Sequence, residues 1–99
     1  MSKIEDFEKI TQKMSNLYKE KNKNYGDAFD KSLDEDGLLV SKIRIGDKYS
    51  RFVNLVKTGS NGTSDESLKD TLIDLANYAV MSIMWVERRE EERNLPLTI

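Results

Sequence analysis

The stretch "DESLKDTLIDLANYAV", from Asp65 to Val80, sets Glu66, Asp70, Asp74 and Asn77 at spacings of four, four and three. In a helix that turns about 100° per residue, these four fall within a stripe roughly 80° wide. Carboxylates aligned in this way either hold a divalent cation through oxygen or pair with Lys and Arg. Leu68, Leu72, Leu75, Ala79, Ile83 and Val86 take the opposite side, with Ile73, Val80 and Met84 at one edge of the stripe and Tyr78 and Trp85 at the other. A solvated face would not need apolar residues on three sides, so the acidic line is expected to face a cleft with cations opposite. Asn77, an amide within an apolar turn, must find hydrogen-bond partners. The candidate metal ligands are Glu66, Asp70 and Asp74, and the implied ion is Mg²⁺.

Cations are available upstream. In "RIGDKYSR", Arg44, Asp47, Lys48 and Arg51 share a helical sector of about 100°. If that sector looks toward Asp70 and Asp74, acid and base mix in one pocket. Such a mixture suits a nucleoside phosphate, because Lys and Arg neutralise phosphate oxygens directly while carboxylates hold a cation. The stretch "KNKNYGDAF" joins Lys21, Lys23, Asn24, Tyr25 and Asp27 around Gly26, an aromatic to stack on a base beside lysines for phosphate. The candidate ligand-binding residues are thus Lys23, Tyr25, Asp27, Arg44, Asp47, Lys48, Arg51 and Asn77. Each also admits a plainer role. Asp70 and Asp74 could set helix register through ion pairs, and Glu66 could serve only a capping box with Thr63. Asp47 has Arg44 and Arg51 on its own helix, and Tyr25 and Phe29 could pack back on the core.

Three helices must position these groups. Phe7, Ile10, Met14 and Leu17 mark one face of a helix over 4–22. Residues 23–37, dense in Asn, Gly and Asp, read as a long loop. A second helix over 38–57 places Ile45, Tyr49, Phe52, Val53 and Val56 on a wide apolar face, and "TGSNGTSD" ends it in a loop over 58–64. The third helix, 65–94, would exceed about 40 Å. Its tail, "ERREEERN", is polar all round, and Pro96 helps to stop it. The expected fold is all-α: one small bundle of three main helices with a long C-terminal helix, completed by oligomerisation because that helix is apolar over too much of its circumference.

Composition narrows the chemistry. The chain has 99 residues, 16 basic against 18 acidic, and a net charge of −2, which does not favour nucleic acid as a partner. It has no cysteine and no histidine, so thiolate chemistry, histidine acid–base catalysis and the usual zinc ligands are excluded. No segment reaches the roughly 20 apolar residues that cross a bilayer, and the expected location is the cytoplasm. The phosphate-loop and dinucleotide fingerprints are absent.

Taken together, "KNKNYGDAF", "RIGDKYSRFVNLV" and "DESLKDTLIDLANYAVM" resemble the nucleotide modification associated domain of the first type, a small helical domain found mainly in bacteriophages and prophages. The resemblance spans Lys19 to Met84. It implies a link to nucleotide metabolism or modified phage DNA, with host cytoplasm as the setting. More distantly, the layout is similar to the all-α nucleoside triphosphate pyrophosphatases that include MazG and the dimeric dUTPases, which hold Mg²⁺ with E-x-x-E on one helix and E-x-x-D on the next. Here Glu66, Asp70 and Asp74 fit the second block loosely, and Lys48 and Arg51 stand where the first would have acids.

The readings that follow are three. In one, a phage-type protein binds a nucleotide and hydrolyses a nucleoside triphosphate with Mg²⁺. In another, it only binds, sequestering a nucleotide or nucleotide-derived signal in counter-defence. In the third, it is a helical oligomerisation or adaptor module. A homo-oligomer is expected in all of them, and a membrane in none.

Overall fold

The computed structural model describes residues 2–25, 27–59 and 65–94, with the side chains of Tyr25, Asp65, Glu66 and Asn94 outside the description. Four α-helices follow one another: α1 (Lys3–Tyr25), α2 (Ala28–Asp36), α3 (Leu39–Lys57) and α4 (Asp65–Asn94). No strand occurs among the described residues. The fold is all-helical, and it has one helix more than the periodicity indicated.

That extra helix corrects the loop reading of 23–37. The stretch "AFDKSLDED" has no Gly, Pro or Asn, carries Asp30 in its first turn, and sets Phe29 and Leu33 one turn apart on a single face. Leu33 is fully buried, the most enclosed apolar side chain of the described residues. What stops α2 is Gly37, whose N–H closes the last turn on the Leu33 carbonyl at 2.7 Å. Its φ of 71° and ψ of −163° belong to a region open essentially to glycine alone, and this lets α3 begin two residues later.

Capping fixes the start of α1. The Glu5 N–H donates to Ser2 Oγ at 3.1 Å, and the Ser2 hydroxyl donates to the Glu5 carboxylate at 3.2 Å. Thr63, the Glu66 side chain and Pro96, and with them the expected capping box and stop, lie outside the described residues.

α3 and α4 form the main pair, α2 caps one end of it, and α1 crosses α4 over a shorter stretch. The apolar core is small: Leu33 and Ile73 are its buried members, joined by Ser41 and Thr71. The buried polar pair is bonded, since Ser41 Oγ and Ser82 Oγ lie 2.6 Å apart across α3 and α4 and Thr71 Oγ1 donates to the Ser67 carbonyl at 2.8 Å.

Much apolar surface stays outside. Ile4, Phe7 and Ile10 of α1 and Leu72, Val80, Ile83 and Met84 of α4 are exposed. The molecule measures 61 × 32 × 24 Å with a radius of gyration of 16.5 Å, against about 13 Å for a compact 100-residue domain. Its surface of 7972 Å² exceeds by a wide margin the roughly 5,800 Å² of a folded monomer of this mass. No helix among the described residues is long and apolar enough to cross a membrane.

Candidate functional site

Three helices converge on Asp74. From α1, Lys21 Nζ reaches Asp74 Oδ1 at 3.2 Å; from α3, Lys48 Nζ reaches Asp74 Oδ2 at 3.2 Å. One carboxylate thus ties two helices to a third. The arrangement follows from spacing: Asp74 lies on the side of α4 that faces the crossing of α1, and Lys48 lies on the sector of α3 turned toward α4. One turn further along α4, Asn77 Nδ2 donates to the Met14 carbonyl at 3.3 Å and holds α1 against α4.

Beside this junction opens a cleft of about 380 Å³. Lys21, Arg44, Asp74 and Asn77 give it a polar side, and Tyr18, Phe29, Tyr78 and Met81 an apolar one. The Phe29 and Tyr78 rings meet edge to face with centroids 5.0 Å apart, which seats α2 on α4. Two further links secure that seat: Trp85 Nε1 donates to Asp34 Oδ1 at 2.9 Å, and Arg88 meets Asp30 at 3.3 Å. The volume lies at the lower end of the roughly 300–1,000 Å³ typical of small-molecule sites.

The acidic line of α4 divides in two. Asp74 and Asn77 are turned inward; Asp70 is exposed, and the Glu66 side chain lies outside the described residues. The basic sector of α3 also divides. Arg44 lines the cleft and Lys48 holds Asp74, while Arg51 is spent on α4, donating from Nε to Thr71 Oγ1 at 3.2 Å and from Nη2 to Ser67 Oγ at 3.3 Å. Asp47 is exposed and away from the cleft lining.

In the α1–α2 region, Lys23 is exposed on the last turn of α1, and Asp27 sits at the N-cap position of α2 with its carbonyl accepting the Lys31 N–H. Gly26 and the Tyr25 side chain lie outside the description. Sequence reasoning did not single out Tyr18, Phe29, Ser32 or Tyr78 as site residues. The signal for Phe29 was its one-turn spacing to Leu33, legible only once α2 is read as a helix.

Among the described residues no group of three acidic side chains is gathered as a metal would require. Asp74 is the one carboxylate among the described residues of the lining, and both of its oxygens face ammonium groups. With Lys21, Lys48 and Arg44 around it, the polar side of the cleft carries more positive than negative charge.

A family model described as nucleotide modification associated domain 1 matches residues 21–86. That span takes in α2, α3, most of α4 and every cleft residue except Tyr18. No curated protein and no solved structure matches the chain.

Proposed function

Because the chain belongs to the nucleotide modification associated domain 1 family, we propose that its cleft binds a nucleotide by meeting phosphate with Lys21, Lys48 and Arg44 and the base with Phe29, Tyr78 and Tyr18. The observation that carries this reading is the convergence of Lys21 and Lys48 on Asp74 at the mouth of an aromatic-walled cleft. Asp74 holds two ammonium groups where neither helix alone would order them, so the side-chain entropy of fixing two lysines is met before a ligand arrives. Phosphate oxygens then gain charge-assisted bonds, with Arg44 offering a planar fork for two of them. Aromatic faces accept any base with little discrimination, which fits a site that selects on phosphate first.

Binding without turnover is the form we favour. A Mg²⁺ site needs several oxygen ligands, whereas the donor set at the cleft is one carboxylate already engaged by two lysines. These residues do not fit the ion. A protein of this kind sequesters or senses a nucleotide or a nucleotide-derived signal, as expected for a phage-type counter-defence protein.

The test is a titration of the purified protein, in chelator and low salt, with nucleoside mono-, di- and triphosphates, cyclic dinucleotides and the parent nucleosides. At least one phosphorylated ligand should raise Tm and bind well above its nucleoside. Lys48→Met should weaken that binding about tenfold or more, the scale of one hydrogen bond between charged groups. Equal affinity for nucleoside and nucleotide, or no shift across the panel, would refute the reading. Release of pyrophosphate or monophosphate with Mg²⁺ would replace sequestration by hydrolysis.

A further inference from the structure

Along α4, Lys69, Ile73, Ala76, Val80, Ile83 and Glu87 follow one another at spacings of four, three, four, three and four, and all but the buried Ile73 reach the outer side. This is the 3.5-residue period of a coiled-coil seam. Val80 and Ile83 are 45 % and 55 % exposed, Ala76 is half-buried, and Ile73 marks the edge where the seam meets the chain's own core. Lys69 and Glu87 are exposed, and neither makes an ion pair among the described residues.

The seam is symmetric about the level of Tyr78. Lys69 and Glu87 are equidistant from it, as are Ala76 and Val80, while Ile83 falls opposite the level of the buried Ile73. We propose that a second copy of this chain covers the face, the two α4 helices packing antiparallel about a two-fold axis near Tyr78. Each Lys69 then meets the partner's Glu87, and each Val80 fits over the partner's Ala76. A parallel pairing would oppose Lys69 to Lys69 and Glu87 to Glu87, so charge selects the antiparallel one.

The chain exposes about 2,000 Å² more than a compact monomer of its mass, an excess to which this face contributes together with Ile4, Phe7 and Ile10 of α1; a standard interface takes about 800 Å² from each partner. The cleft lies on the other side of α4, so the pairing leaves it open and does not depend on the proposed ligand.

Sedimentation at micromolar concentration should give a dimer. Val80→Glu, exposed in the single chain and so tolerated by its fold, should give a helical monomer by sedimentation and circular dichroism. Lys69→Glu and Glu87→Lys should each raise the dissociation constant about tenfold, since two symmetric pairs turn repulsive, and the double variant should restore it. A wild-type monomer overturns the proposal. So does a dimer that withstands Val80→Glu but is lost in Phe7→Ser, which would place the contact on α1, or a double variant no tighter than the singles.

Discussion

Leu33→Ala tests how the cleft wall is held. Leu33 is fully buried and anchors a helix of nine residues. Truncating such a leucine costs about 2–5 kcal/mol, from lost transfer energy plus the cavity left behind. Total stability for 99 residues is roughly 5–15 kcal/mol, and a core this small belongs at the low end. The substitution should therefore remove a third or more of the stability, and at about 4–8 °C per kcal/mol lower Tm by roughly 8–40 °C. Leu33→Met, close in volume, should cost under about 1.5 kcal/mol. Thermal and urea unfolding followed by circular dichroism, at matched protein concentration because assembly adds to apparent stability, gives the comparison. Since α2 brings Phe29 and Ser32 to the cleft, nucleotide affinity should fall well below the new Tm. A Leu33→Ala protein within about 1 kcal/mol of wild type would show that α2 does not hang on this side chain.

Two further substitutions probe the junction and the turn. Asp74→Asn removes both ion pairs; as Lys21 is 55 % exposed and Lys48 30 %, solvent screening limits the loss to about 1 kcal/mol, and the Tm gap to wild type should narrow in molar salt. A gap unchanged by salt would mean that Asp74 acts through packing. Gly37→Ala meets no atom within 4 Å of the new Cβ but forces alanine into a backbone region it avoids, so it should cost about 1–3 kcal/mol in urea unfolding. No loss there would mean that the turn relaxes to a different geometry.

Helical periodicity made one half of the site readable. Arg44, Lys48 and Arg51 share a face because of their spacing, and that face does look toward α4. Asp74 and Asn77 stood out as polar groups among apolar neighbours, and both are bonded between helices. What periodicity does not encode is where a neighbouring helix stops or how steeply it crosses. Asp70 shares the stripe of Asp74, yet it is exposed, and among the described residues no ion pair includes it. Lys21 falls in the last turn of the helix expected over 4–22, and only the crossing of α1 over α4 brings it to Asp74. Phe29's place in the aromatic wall was hidden for another reason: a high density of Asp and flanking glycines concealed a helix whose buried residue is a single leucine. Arg51, a candidate phosphate ligand by spacing, is occupied by two hydroxyls that composition alone could not have assigned to it.

Trp85 is the chain's single tryptophan, its indole N–H bound to Asp34 of α2 and its ring covered at 5.1 Å by the Arg89 guanidinium. The molecule therefore carries a native fluorophore on the strut that holds the cleft wall in place. Emission colour and quenching should report detachment of α2 separately from melting of the rest, with no label introduced.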